Sequence, residues 1–463
     1  MTNSGNACKT TVGNVDAEVL EFTVGNDPET DLLLAVADCI GTAAHVTMLS
    51  RMPVNPPVFT KAAAKKVVAE LARIMAKAGR GEFRITLRDQ DVHMAIESEL
   101  TRRLGELGRK VHTGRSRNDQ VAVDLRLFAK EQLLCTIGEA LDLAGVLLAF
   151  AQKHRLVPMV GRTHMQPAMP SSVGLWLSAY AESLLDDVVL LTAVYELNDQ
   201  CPLGSAASYG VPLPIDRNLT ARLLGFNRPV HNVLYANNAR GKVEALVLSA
   251  CGQVMLSISR LAQDLIVYTM PEFDYFSFPR EFGTGSSIMP QKNNPDVLEL
   301  VRAKAAVVLA QEACVAGIVR ALPGGYNRDL QETKQPFVSG IAATRASLRI
   351  MKLLVSGLVV HTDNLMVGFT PGVFATDRAL DLVGKGMPFR DAYRFVKENL
   401  SDLEGIDPRK AVAAKKHLGA PAGLDLRGLK SRLLASRRLA TMKRKGYSEA
   451  VSRLMGVKYP LAV

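Results

Sequence analysis

The chain has 463 residues, 48% of them hydrophobic and 22% charged, an ordinary balance for a globular protein with a large core. Its formal net charge is +11. From Arg409 onward there are 14 Lys and Arg against 2 Asp and Glu, leaving 42 against 43 in the remainder, so the basic excess belongs to the C-terminal segment alone.

The opening residues MTNSGNACKTTVGN lack the basic start and apolar run of a secretory leader. Residues 18–110 read as shorter helices, with a loop at MPVNPP (52–57) and a short strand at FRITL (83–87). Four long helices without internal proline follow, at roughly 116–154, 171–199, 238–270 and 295–321. In the third, Leu246, Val247, Cys251, Val254, Met255, Ile258, Leu261, Leu265 and Ile266 recur at helical spacing. Helices this long, with so wide an apolar stripe, need other helices on several sides, and a bundle shared between copies of the chain supplies them. The most apolar of the four, around 133–151, contains Glu139 and Asp142, which argues against a membrane span. After GFTPGVFATD (368–377) the pattern predicts shorter helical pieces. The fold class is all-α, in three parts: a mostly helical domain over 1–110, a long-helix bundle over 111–362 and a small basic helical domain over 363–463.

The six cysteines are scattered without CxxC spacing, which favours reduced thiols and a cytoplasmic location. The eight histidines form no HxH or HExxH pattern, so no metal site is expected. The basic stretch SRLLASRRLATMKRKG (431–446) lacks interleaved aromatics and reads as a solvated helix face, with neither nucleic acid nor membrane as partner.

Three polar islands interrupt the apolar helices: HTGRSRNDQ (112–120), GRTHMQPAMP (161–170) and GTGSSIMPQKNNPDVLE (283–299). In the last, Asn294-Pro295 suits a helix start, asparagine as the cap and proline at the first helical position. That leaves GTGSS and Lys292 unexplained. A glycine-serine loop entering a helix can offer backbone N–H groups and a lysine to an anion. The Walker pattern GxxxxGK[ST] is absent, so a carboxylate is the better candidate. Together the islands supply donors and cations suited to proton chemistry beside a carboxylate.

GSSIMPQKNNPD resembles the signature of the fumarase/aspartase superfamily. HTGRSRNDQ, DVHMAIE (91–97) and YNRDLQETK (326–334) resemble its argininosuccinate lyase/delta-crystallin branch, and the similarity spans roughly 25–380. The resemblance implies a three-part all-α fold, no cofactor, and a homotetramer whose sites draw on three subunits. It implies elimination of argininosuccinate to arginine and fumarate; the alternatives are another N-substituted aspartate as substrate, or a structural, crystallin-like role. By resemblance Ser286 is the base, Lys292 neutralises the carbanion, and His164 with Glu299 serves the departing nitrogen. Asn118, Thr163 and Asn294 hold the succinate end, and Tyr326, Gln331 and Lys334 the arginine end; Arg117 and His93 line the pocket. Two departures stand out. Asp27 falls near a family serine that contacts substrate, and Met169 stands where glutamine is common.

Overall fold

The computed structural model describes residues 7–10 and 13–459. The start of the chain examined above for a leader therefore lies largely outside the described residues, as does the side chain of Cys8. A short helix, Ala17–Val24, comes first, and four more follow: α1 (Asp27–Leu32), α2 (Ala35–Leu49), α3 (Lys61–Gly79) and α4 (Val92–Leu104). Residues 83–87 are irregular, contrary to the strand expected there. They have no neighbouring strand, and the Asp89 carboxylate accepts from the Thr86 amide (2.9 Å) and hydroxyl (2.7 Å), turning the chain instead.

The long helices are α5 (Arg117–Lys153), α6 (Val173–Asn198), α7 (Lys242–Tyr268), α8 (Asp296–Val319) and α9 (Lys334–Ser356). Cross-contacts fix their directions. Phe128 meets Phe337 (6.2 Å between ring centroids) and Lys352 meets Asp142 (3.0 Å), so α5 and α9 run parallel. Trp176 donates to Asp264 (2.8 Å) and Ser183 meets Ser257 (2.9 Å), so α6 and α7 are antiparallel. Arg302 donates to Gln263 while Leu309 lies against Gly252, which makes α8 antiparallel to α7 as well. One end of the bundle thus gathers the starts of α5, α7 and α9; the other gathers the starts of α6 and α8. Leu143, Leu147, Leu177, Leu184, Val254, Met255, Ile258, Val308 and Met351 fill the middle with almost no exposure.

α5 and α7 are long and apolar enough to cross a membrane, but both lie in this core. Glu139 of α5 pairs with Arg345 (2.8 Å) and Arg349 (2.8 Å). Among the described residues no cysteine forms a disulfide, and Cys39, Cys135, Cys201 and Cys251 are buried.

The C-terminal segment departs from the shorter pieces expected. It ends in a 30-residue helix, α10 (Leu426–Met455), that returns to the body. Its Leu426 and Leu433 join the bundle core, and Tyr447, Val451 and Met455 join a second core built on α2–α4. Residues between 375 and 406 form a small core of their own around Ala392 and Val396. Part of the basic charge of α10 is spent on the bundle: Arg432 pairs with Asp186 (2.6 Å), Arg437 with Asp142 (2.8 Å) and Lys443 with Glu196 (2.7 Å). Apolar recurrence is diluted by these cations and by Gly428 and Gly446, which hides the full length of the helix from periodicity. Deleting 409–463 removes nine buried apolar side chains, the five named above among them, and uncovers both cores. Such losses cost about 2–5 kcal/mol for each large residue, so the truncated chain should be insoluble or melt far below the full chain in a thermal scan.

Candidate active site

At the first end of the bundle a cavity of about 160 Å³ is lined by Asp27, Asp31, Gln90, Asp91, His93, Arg117, Asn118, Val121, Arg240, Tyr326, Arg328, Gln331 and Lys334. Six of the residues expected at the site meet here: His93, Arg117, Asn118, Tyr326, Gln331 and Lys334. Local sequence explains the positions. Ser116 caps α5 in a capping box with Asp119, and Asp119 also accepts from the Gly204 (3.0 Å) and Ala206 (2.9 Å) amides. Arg117 and Asn118 are thereby fixed in the first turn of α5. Arg115 is used structurally, donating to Thr42 (2.9 Å) and to the Val111 carbonyl (3.0 Å). Asp91 caps α4 and pairs with Arg117 (3.1 Å). The starts of α5, α7 and α9 all point here, so their dipoles add positive potential.

His93 is buried, with Nδ1 2.5 Å from Asp38 of α2. Burial alone would push its imidazole down, but the bond to Asp38 and that carboxylate's charge carry it above its ordinary value. Asp124 lies 3.6 Å from the same nitrogen, and burial beside Asp38 pushes its own pKa well up. Asp38, His93 and Asp124 present ligand atoms within 4.8 Å of one another. The sequence gives no sign of this group, because its members come from three helices.

The other expected residues sit at the opposite end. Thr163 closes strand β1 (Pro158–Thr163), which pairs with β2 (Gln166–Ser172). His164 and Met165 form the two-residue turn, at φ 53° and 61°. A turn with both φ positive normally takes Asn-Gly. Holding a methionine there stores strain of the kind found where geometry serves function. His164 is exposed at the tip.

The polar loop is pinned at its base by two two-residue strands, β3 (Thr284–Gly285) and β4 (Asn293–Asn294). Gly283 lies so close to Asn293 that a Cβ would come 2.5 Å from its amide oxygen, and Thr284 donates to Asp296. Between the strands the chain is largely exposed, Ile288 by 83%. Ser286 Oγ accepts from the amides of Ile288 (3.3 Å) and Met289 (3.1 Å); Lys292 is exposed near the far root. The expected cap is corrected: α8 starts at Asp296 with Pro295 in the cap position, and Asn294 stays in β4 because its backbone pairs with Thr284. Glu299 lies in the first turn of α8, exposed.

Among the described residues, no hydrogen bond or ion pair joins His164 to Glu299, or Lys292 to Ser286. One chain does not unite the two sets. α8, of 24 residues, separates the loop from Tyr326, and α5, of 37, separates Asn118 from the hairpin. At 1.5 Å per residue those distances are about 36 Å and about 55 Å. Sequence reading left Asp31, Asp91 and Arg240 out of the cavity. Asp31 and Asp91 meet Lys334 and Arg117 only in the fold, and Arg240 with Glu244 reads as an ordinary pair one helical turn apart, so only Asp27, singled out as a departure, carried a signal.

A sequence profile of the family described as lyase matches residues 31–310. The chain is 44% identical to an argininosuccinate lyase of Sorangium cellulosum, over 91% of this chain and 97% of that one. It is 42% identical to an argininosuccinate lyase of Phocaeicola vulgatus (82% and 85% covered) and 40% to one of Thermotoga neapolitana (83% and 96%). Among solved structures the fold matches an EDDS lyase variant with bound fumarate, at TM-score 0.79 and 23% identity over 94% of each chain. It also matches a fumarate lyase:delta crystallin from Brucella melitensis, at TM-score 0.68 and 18% identity over 94% of this chain and 99% of that one.

Proposed function

The chain belongs to the argininosuccinate lyase family, and from that premise we propose that it eliminates argininosuccinate reversibly to L-arginine and fumarate, serving arginine synthesis in the cytoplasm. The observation that carries the reading is kinship at 44% identity across nine-tenths of the chain with a protein named for that reaction.

The chemistry follows from the loop. Removing a proton from the carbon beside a carboxylate leaves a carbanion whose charge spreads onto the carboxylate oxygens. A serine hydroxyl is a weak base unless its alkoxide is stabilised. The two amides already donating to Ser286 Oγ supply that stabilisation. Lys292 on the same loop adds a cation for the alkoxide and for the doubly charged intermediate. Loop closure over bound substrate excludes water and strengthens both interactions. His164, held at the hairpin tip and oriented by Glu299, protonates the departing nitrogen. Thr163, Asn118 and Asn294 hold the succinate end, while the cavity with Tyr326 and Gln331 takes the arginine end.

Because the long helices hold loop and cavity apart, we propose that copies of the chain complete each site for one another in a homotetramer. Leu300 and Val307 on α8, and Val189 and Leu197 on α6, are exposed apolar residues on the long helices that support such packing. Purified protein given argininosuccinate should produce fumarate, seen by its ultraviolet absorbance. Absence of fumarate from a folded tetramer would overturn the reading and favour a different N-substituted aspartate.

A further inference from the structure

A cavity of about 1050 Å³ lies where the end of α2, the first half of α3, the helix Arg217–Leu223 and the end of α10 come together. Nothing in the proposed reaction uses it. Four cations line it, Arg51, Lys61, Lys65 and Arg453, and no aspartate or glutamate does. All four are exposed, and among the described residues none forms a side-chain hydrogen bond or an ion pair.

Surface cations without partners are common, so the arrangement has to carry the argument. These four come from three segments far apart in the sequence and converge on one concavity. Lys61 is the first residue of α3 and Lys65 lies one turn later, with no acidic residue in the first turn. Like charges four residues apart repel, and cations at a helix start oppose the dipole. Further along the same helix the cations are neutralised: Arg73 pairs with Glu70 and Glu99, and Lys77 with Glu99 (3.4 Å). The turns of α3 left without counter-charge are those whose lysines reach the cavity. An anion bound there offsets the repulsion and meets the positive end of the helix.

The remaining walls are apolar. Val68, Ala69 and Ala72 continue the Lys61–Lys65 stripe along α3, and Leu454 and Met455 of α10 line the cavity with them. No aromatic ring does, so a nucleobase would find nothing to stack on. The volume is that of a site for a small molecule.

We propose that this cavity binds a small phosphorylated aliphatic molecule, free in solution, with its phosphate among the four cations and its chain along the apolar stripe of α3. The ligand ties the end of α10 to α2 and α3, which gives part of the basic C-terminal segment a role outside the elimination chemistry.

Calorimetry on the full chain, with hexyl phosphate and inorganic phosphate as probes, tests this without turnover. Hexyl phosphate should bind once per chain and at least about tenfold tighter than inorganic phosphate, because its methylenes leave water. Lys61→Ala combined with Lys65→Ala should weaken hexyl phosphate at least about tenfold, as loss of hydrogen bonds to charged groups does. Ala69→Glu should do the same by placing a carboxylate in the stripe. All three side chains are exposed, so these variants should fold, and thermal melts check that they do. Arg427→Ala combined with Lys430→Ala removes two exposed cations from the opposite end of α10 and should leave affinity within about twofold, since distant exposed charges are screened. Hexyl phosphate should also raise the melting temperature of the wild type but not of the Lys61 and Lys65 double variant.

The proposal is overturned if hexyl phosphate shows no saturable binding or binds no tighter than inorganic phosphate. Equal weakening by the two double variants would also overturn it, reducing the effect to general attraction by net charge. So would displacement of hexyl phosphate by a short DNA duplex or by phosphatidylserine vesicles, because the face would then serve a polymer or a membrane.

Discussion

Ser286→Ala should lower kcat by about 10²–10⁴-fold, the range supplied by a positioned acid or base, and leave substrate affinity close to that of the wild type. The asymmetry follows from where the hydroxyl sits. It lies on an exposed loop and accepts from two amides of its own turn. In the proposed mechanism its oxygen acts as an alkoxide, so its loss should appear in kcat and kcat/KM together. Steady-state kinetics with calorimetric binding separates the cases. Near-normal turnover would refute the assignment of the base, and a large loss of affinity with unchanged kcat would make Ser286 a binding residue.

Lys292→Met should cost about 2.7–4 kcal/mol of transition-state stabilisation, or about 10²–10³ in kcat, the effect of removing one preorganised donor from a site of developing negative charge. Methionine keeps most of the length of the side chain and removes its charge and N–H donors, and Lys292 forms no ion pair among the described residues, so the melting temperature should not move. In the proposed mechanism its contribution rises as charge builds on the substrate carboxylate. Lys292→Arg should therefore recover only part of the rate, because a planar guanidinium does not reproduce the point charge. A Lys292→Met enzyme at wild-type speed would contradict the carbanion scheme.

Much of this architecture could be read before any coordinates, because long apolar periodicity leaves few alternatives. The four long helices anticipated near 116–154, 171–199, 238–270 and 295–321 lie within a few residues of α5 to α8. The failures have specific causes. α9 begins with Pro336 near its start and packs closely at Gly340, where a Cβ would lie 2.4 Å from Leu248; both residues look like breakers in one dimension. The β1–β2 hairpin is hidden by Pro158, Pro167 and Pro170, tolerable because each strand has only one neighbour to satisfy. The polar islands were recognisable as chemistry from composition, and their residue roles came from resemblance. What no spacing could show is that the Ser286 loop and the Asn118 cavity stand at opposite ends of the same rods.

That separation is the claim on which the catalytic proposal turns, and mixing two inactive variants tests it most directly. Ser286→Ala spoils only the loop and Asn118→Leu only the cavity. If different copies supply the two, random tetramers made by co-refolding equal amounts should place an intact loop over an intact cavity at about a quarter of the sites, and should recover about a quarter of wild-type activity. Mixed tetramers no more active than the two parents would show that loop and cavity come from a single chain, and would contradict the account.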